Sequence, residues 1–261
     1  MTSPNITRHG DALYAALRER RTVEPLTTRE PGLTIDDAYQ ISRHVLARRL
    51  RDGEQVVGKK IGVTSKVVQV ALGVHQPDFG FLTDVTAFED GAELPISTRL
   101  IAPRAEGEIA FVLERELAGP GVTAADVLAA TAYVKPCFEI VDSRIADWKI
   151  KIQDTIADNA SSGMFVLGRT PVGVRDLDLV TCGMVVWKNG EVLSTGAGAA
   201  ALGSPLNCVA WLANTLGERG ESLRAGEVIL SGSLVPLEPV RAGDAMQLRI
   251  AGIGEASVRF V

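Results

Sequence analysis

The feature that most constrains the fold is a change of hydrophobic rhythm at Gly53. Upstream, apolar residues recur at helical spacing. Residues 11–21 carry Leu13, Ala16 and Leu17 on one side and Arg18, Glu19, Arg20 and Arg21 elsewhere, which predicts a first helix. Thr34 with Asp37 three residues on is a capping box using Asp for Glu, and Ala38, Ile41, Val45 and Leu46 follow it at helical period. Arg43, Arg48, Arg49 and Arg51 on that helix are expected to form a solvated face or a subunit contact. Downstream, short apolar runs are broken by Gly and Pro. Strands are predicted over residues 56–63, 109–113, 138–141, 164–167, 183–187, 228–230 and 246–250. Asn189-Gly190 between two such runs is a strong two-residue hairpin signal.

Two helices interrupt the strands. One is expected over residues 123–131; the other starts at Ser204-Pro205 and ends near Gly217, with Ser as cap, Pro in the first turn and Gly at the end. With no repeat and no long linker, the chain reads as a single α+β domain over residues 1–261. Residues 1–55 form an N-terminal helical part, and residues 56–261 form a β-rich core.

Composition excludes several function classes. Lys and Arg number 27 against 32 Asp and Glu, a net charge of −5, so a phosphate-backbone partner is not expected. Aromatic residues are only 5%, too few for base-stacking platforms. Cys137, Cys182 and Cys208 are widely spaced and share no CxxC pattern, which suits a reducing compartment. No run is long and apolar enough for a membrane helix, and the first residues lack the apolar segment of a signal peptide. The expectation is a cytoplasmic protein with neither nucleic-acid nor membrane partner.

Two motif matches fail on context. Gly53…Gly58-Lys59 has phosphate-loop spacing, but Lys60 stands where Ser or Thr would hold magnesium, and a strand follows in place of a helix. Gly196-x-Gly198-x-x-Ala201 follows a hairpin and lacks the βαβ setting of a dinucleotide fingerprint.

The chemistry lies in charged residues embedded in apolar runs. In RAEGEIAFVL, Glu106 and Glu108 are two apart, so a strand points both carboxylates to one face. Two such charges repel and raise each other's pKa, and a divalent cation between them removes the penalty. An isolated E-x-E is more often a polar strand edge. Glu139 shifts the balance, because it sits inside the apolar run CFEIV, where an unpaired carboxylate is costly. Asp142 closes the same run and could instead be the salt-bridge partner of Arg144. Three carboxylates converging on one cation with open positions would suit Mg²⁺ or Mn²⁺.

In GKKIG, strand alternation sets Gly58, Lys60 and Gly62 on one face, where the glycines leave room beside the amine. That amine could serve as an acid–base group or an electrostatic stabiliser, or could be a plain edge-strand lysine. The polar stretch QDTIADNASSG offers Asn159, Ser161 and Ser162 as donors for a carboxylate, against a default reading as a turn-rich loop. GVHQPDFG adds His75 and Asp78 in another turn-like stretch, and Trp148 and Trp211 are assigned to packing.

Taken in order, GKKIGVTSK, GVHQPDFG, PRAEGEIAFVL, FEIVDSRIADW, DTIADNASSG, GAGAAALGSPLNCVAWLAN and the closing VILSGS…AGD…GIG…VRF span nearly the whole chain. Together they resemble the 2-hydroxypenta-2,4-dienoate (2-oxopent-4-enoate) hydratases of aromatic meta-cleavage pathways, within the fumarylacetoacetate hydrolase-like superfamily. The resemblance implies a mixed β-sheet roll or barrel, a divalent metal (Mg²⁺ or Mn²⁺) and a homo-oligomer. It also implies a 2-hydroxydienoate substrate, and an association with 4-oxalocrotonate decarboxylase is one further implication. The family's metal ligands fall on Glu106, Glu108 and Glu139, its active-site lysine on Lys60, its loop aspartate on Asp78 and its serine on Ser161. The implied reaction is tautomerisation of the dienol followed by addition of water at C4. Lys60 and Asp78 are the candidates for proton transfer, with Ser161 and Asn159 holding the substrate.

The nearest rival is the sister enzyme, 4-oxalocrotonate (2-oxohex-3-enedioate) decarboxylase. GKKIGVTSK and DWKIKIQDT look more like the hydratase side. A C–C hydrolase is less well matched, since His75 is followed by Gln76 and not by a Glu that could pair with it. A non-catalytic scaffold for the decarboxylase would have no use for the intact acidic set.

Overall fold

The computed structural model describes residues 3–261, with side chains described from Asn5 onward. The N-terminal part is helical: α1 (Ser3–Glu19), α2 (Leu26–Arg29) and α3 (Ile35–Arg51). Then follow β1 (Val56–Gly62), α4 (Lys66–Leu72), β2 (Asp78–Thr83), β3 (Ala87–Glu89), β4 (Ala92–Leu94), α5 (Ile96–Arg99) and β5 (Arg104–Leu113). The middle of the chain holds α6 (Ala124–Ala130), β6 (Thr131–Val141), α7 (Ile152–Ala157), β7 (Ser162–Leu167), β8 (Gly183–Lys188) and β9 (Glu191–Ala197). It closes with α8 (Pro205–Gly217), β10 (Val228–Leu230), β11 (Glu238–Pro239), β12 (Ala245–Ile250) and β13 (Gly254–Phe260).

Helix ends follow local chemistry. The Thr34 hydroxyl accepts from the Asp37 amide, and the Asp37 carboxylate accepts back from the Thr34 amide, forming the expected capping box. Thr123 and Asp126 repeat it on α6. Ser204 caps α8 ahead of Pro205 as expected. Asn189 and Gly190 both have positive φ, the conformation a tight primed turn requires between β8 and β9.

The strands form two mixed sheets. One runs β2-β1-β10-β5-β6-β7-β3, with β11 alongside β5; the other runs β4-β13-β12-β8-β9. Among the described residues neither path returns on itself, so the roll is open and not a closed barrel. Strand alternation on β5 decides what lies between the sheets. A Cβ on Gly107 would stand 2.5 Å from Met184 Sδ and 3.2 Å from Leu248 Cδ2, so that face of β5 packs against β8 and β12. Glu106 and Glu108 therefore point the other way.

The helical layer is bound to the sheets through one continuous apolar core. Leu13, Ile41 and Val45 share it with Ile61, Phe79, Phe138 and Ile156. Tyr39 of α3 stacks on Phe79 of β2 with ring centroids 4.4 Å apart. Full burial of a side chain such as Phe79 contributes roughly 1.5–3 kcal/mol. It also fixes the roll of β2, so that Asp78 and Gly80 on its opposite face look toward β1 and the 159–161 turn. Arg49 departs from the expected solvated face. It is buried, with Nε donating to Glu54 Oε2 at 2.8 Å and Nη2 to Thr83 Oγ1 at 2.7 Å. Charge alone could not separate it from its exposed neighbours, because a buried carboxylate partner lies five residues away in a bend.

Candidate active site

β5 and β6 pair antiparallel with Glu106 opposite Glu139 and Glu108 opposite Cys137. The register puts all three carboxylates on one face, with one oxygen of each within 4.8 Å of the others. Glu108 and Glu139 are fully enclosed, while Glu106 is half-buried and opens on a cavity. Glu108 Oε2 accepts the Gly232 amide at 2.7 Å. Gly232 has φ +97°, and a Cβ there would strike Thr64, so only glycine presents its amide in this way. Glu108 Oε1 and Glu139 Oε2 have no hydrogen-bond partner among the described residues.

Buried, unpartnered carboxylate oxygens need an explanation. A hard divalent cation ligated by oxygen supplies one, and the donor set fits Mg²⁺ or Mn²⁺.

Lys60 Nζ stands 3.1 Å from Glu139 Oε1. Burial by itself would push the ammonium's pKa down, but Glu139, Asp78, Glu106 and Glu108 around it outweigh burial, and the pKa stands above the ordinary lysine value. Lys60 is therefore a cation. The neighbouring Lys59 faces the other way and is held by both oxygens of Glu227, at 2.8 and 2.7 Å. Burial raises the carboxyls in turn. Glu106 is pushed up to about 7 by burial and by Glu139, and Glu108 is raised well above the carboxylate range by burial, Glu139 and Glu106. Glu139 and Asp78 are raised by burial against the pull of Lys60.

Asp78 opens β2 and is 1% exposed. A Cβ on Gly62 would lie 2.3 Å from Asp78 Oδ1 and 3.3 Å from Lys60 Nζ. The glycine that flanks Lys60 thus makes room for Asp78, not only for a ligand. Thr155 Oγ1 donates to Asp78 Oδ2 at 3.3 Å and lies 3.3 Å from Ser161 Oγ, linking the two expected site residues through a hydroxyl. Thr155 gave no signal in the sequence, since a threonine in an amphipathic helix is ordinary.

The stretch read as a loop is α7 followed by a left-handed turn. Asn159, Ala160 and Ser161 all have φ between 50° and 55°. Such backbone is unfavourable for non-glycine residues and survives only where its surroundings hold it. Arg144 is the holder. Its Nε, Nη1 and Nη2 donate to Asp158 Oδ1 (2.5 Å), Ser162 O (3.0 Å) and Asp158 O (2.7 Å). Arg144 therefore pairs with Asp158 and not with Asp142, which instead accepts the Ile101 and Ala102 amides. Asn159 donates to Phe81 O at 2.9 Å and accepts from Phe81 N at 2.8 Å, so its amide fastens the turn to β2. Ser161 lines the cavity and Asn159 does not.

The cavity has a volume of about 480 Å³. Lys60, Asp78, Glu106, Thr155 and Ser161 form its inner end. Trp148, assigned to packing by sequence, lines its wall; its Nε1 donates to Ala102 O at 3.1 Å, and the Arg104 guanidinium lies 4.6 Å from its ring. His75 is exposed in the turn before β2.

An open mixed-sheet roll with a buried acidic triad and an adjoining lysine defines the class. The chain belongs to the fumarylacetoacetate (FAA) hydrolase C-terminal family, whose model matches residues 55–261. Within it, the chain is 67% identical over 215 residues to a 2-hydroxypent-2,4-dienoate hydratase of Pseudomonas putida, covering 82% of this chain and 97% of the relative. It is 58% identical to a 2-hydroxyhexa-2,4-dienoate hydratase of Comamonas testosteroni, covering 98% of this chain and 97% of that one. Among solved structures, it superposes with TM-score 0.97 on the 4-oxalocrotonate decarboxylase of Pseudomonas putida G7 complexed with magnesium and adipate. That match has 38% identity and covers 100% of this chain and 99% of that chain.

Proposed function

We propose that this chain is a hydro-lyase adding water to 2-hydroxypenta-2,4-dienoate to give 4-hydroxy-2-oxopentanoate. The observation that carries the reading is the acidic triad joined to Lys60 and Asp78 at the inner end of one cavity. The likeness to dienoate hydratases over nearly the full chain supports it. Decarboxylation of 2-oxohex-3-enedioate is the second reading. It is favoured by the close superposition on the decarboxylase, but that enzyme is less similar in sequence.

Glu106, Glu108 and Glu139 would hold a divalent cation. Bound there, it supplies Lewis acidity toward the substrate's C2 oxygen and a template for the adjoining carboxylate. The chain's own residues do the rest. The Lys60 ammonium sits beside the triad, where it stabilises negative charge growing on the C2 oxygen as the enol proton leaves. Asp78 shuttles the proton: the enol O–H proton is lost and C5 gains one, leaving a ketone conjugated with the C3–C4 double bond. Hydroxide from water then bonds to C4, and C3 takes the remaining proton. Ser161 lies beside Thr155 and turns its one hydroxyl proton from Thr155 Oγ1 to the substrate carboxylate when substrate enters. Asn159 acts at one remove by holding the turn that presents Ser161.

The helical residues 1–55 and the strand-rich residues 56–261 act as one unit in this reading, a view supported by their shared apolar core. We further propose a homo-oligomer and a complex with the decarboxylase, which the family resemblance supports, and a cytoplasmic setting, which the widely spaced cysteines support. Among the described residues no helix is long and apolar enough to cross a membrane.

The test is loss of dienol absorbance with and without chelator, then with Mg²⁺ or Mn²⁺ restored. Metal-dependent hydration without CO₂ release from 2-oxohex-3-enedioate is the expected result. CO₂ release with no hydration would hand the site to the second reading.

A further inference from the structure

The cavity changes character along its length. Its inner end is charged and enclosed. Its outer wall is built by Val68 and Leu72 of α4, Trp148, Ile150, Val235 and Leu237. Along this wall exposure rises from 8% at Val235 to 43% at Val68, so the apolar surface meets solvent at the mouth. The helix carrying Val68 and Leu72 is short and closed at both ends. Ser65 accepts the Val68 amide at its start, and Gly73 at φ 66° ends it. Val67 and Val70 on the same helix are 80% and 70% exposed. Apolar groups clustered at a cavity mouth mark a surface that gains from being covered.

Among the described residues lining the cavity, Lys60 is the one cationic side chain, and it is already engaged by Glu139 at the inner end. A ligand whose 2-oxo acid end lies at the triad must therefore send its far end along a wall that no cationic side chain lines, the Arg104 guanidinium standing over the Trp148 ring outside that lining. An alkyl end gains there by losing contact with water. A second carboxylate would be desolvated without a partner, which is costly.

We infer that Val68, Leu72, Trp148, Ile150, Val235 and Leu237 form a tail subsite that sets specificity at C5, admitting alkyl-extended monocarboxylates and rejecting chains that end in a second carboxylate. The inference rests on the proposed hydratase reading for which end of the substrate enters first. Nothing along the chain points to it, because the six residues come from three separate stretches of chain.

The experiment has a binding arm and a turnover arm, both with Mg²⁺ present. Calorimetry compares 2-oxopentanoate, 2-oxohexanoate, 2-oxoheptanoate and 2-oxohexanedioate. Affinity is expected to rise about two- to fourfold per added methylene, from the transfer free energy of a partly to fully buried CH₂. The diacid is expected to bind at least about 100-fold more weakly than the monoacid of equal length. Turnover compares 2-hydroxypenta-2,4-dienoate, its 5-methyl and 5-ethyl homologues and 2-hydroxyhexa-2,4-dienedioate, and the same order in kcat/KM is expected.

Leu72→Arg and Val68→Arg, on the exposed helix, place a cation at the mouth without touching the triad. They are expected to raise affinity for the diacid at least about tenfold and to lower it for the longest monoacid. Wild-type binding of the diacid as tight as that of the equal-length monoacid would overturn the subsite, as would arginine variants that leave the ranking unchanged. If the alkyl ranking appears in calorimetry while no dienoate is hydrated, the subsite stands and the hydratase reading falls.

Discussion

Glu106 and Glu139 face each other directly across the β5–β6 ladder. Like charges at directly opposed positions destabilise a sheet pair, by up to about 1 kcal/mol in ordinary settings. Here the opposition is built into two of the longest strands of the fold, with Glu108 alongside and Lys60 as the cation nearest to Glu139. The arrangement makes sense as a site loaded by a divalent ion.

Glu106→Gln removes that opposition while keeping the side chain's size. Chelator-treated variant protein is expected to unfold no more easily than wild type, with a gain of up to about 1 kcal/mol. Its Mg²⁺ or Mn²⁺ affinity is expected to drop at least about 100-fold, and hydration with it. Thermal denaturation and metal titration calorimetry check the two halves. Unchanged metal affinity would remove Glu106 from the ligand set.

Raised carboxyls also give the metal-free protein a defined pH response. With Glu106 at about 7 when folded and at the ordinary glutamate value when unfolded, the native state binds more protons across that interval. Stability of the metal-free protein therefore falls as pH climbs from about 4.5 to about 7. Metal binding must displace those protons, so affinity moves the opposite way and rises over the same window. The thermal shift produced by Mg²⁺ is expected to be larger at pH 8 than at pH 5.5. A shift independent of pH would show that these carboxyls are not its source.

Gly62→Ala places a methyl 2.3 Å from Asp78 Oδ1, so the Asp78 carboxylate must move, and 3.3 Å from Lys60 Nζ, which must yield slightly. A displacement near 1 Å at reacting groups lowers rates by about 100-fold, so kcat is expected to fall by about that factor. The overpacking is expected to cost about 1–3 kcal/mol of stability. Gly183→Ala on β8, where nothing lies within 4 Å of the added carbon, is the control and should keep both values. Steady-state kinetics alongside denaturant unfolding separates the effects.

Asn159→Ala strips the Phe81 amide and carbonyl of their partners in a buried setting. The loss is expected to be about 2–4 kcal/mol, at about 1–3 kcal/mol per orphaned group with partial relaxation. An unfolding midpoint lowered by about 2–4 °C per kcal/mol would register it. KM is expected to rise as the turn carrying Ser161 loosens, and Asn159→Asp, which keeps the acceptor for Phe81, should recover part of both. A variant with normal stability and altered KM alone would instead place Asn159 in direct contact with substrate.

Much of this protein was legible along the chain. The change of rhythm at Gly53, the Thr34–Asp37 and Ser204-Pro205 caps and the Asn189-Gly190 turn are local physics. Each needs only neighbours within a few residues, and each appears where the pattern predicts. The shared face of Glu106 and Glu108 is equally local, since strand alternation alone imposes it. Tertiary structure decided the remainder. Asp142 and Asp158 are both acids near Arg144 in sequence, and only the left-handed 159–161 turn selects Asp158. Arg49 looks like its exposed neighbours until the bend after α3 brings Glu54 against it. Glu139 meets Glu106 because β5 and β6 pair in one register out of many, and Asp78 meets Lys60 because Gly62 leaves a gap. Periodicity can say which way a side chain points, but not what stands opposite. That depends on how distant strands are packed, and the packing is set by the core as a whole.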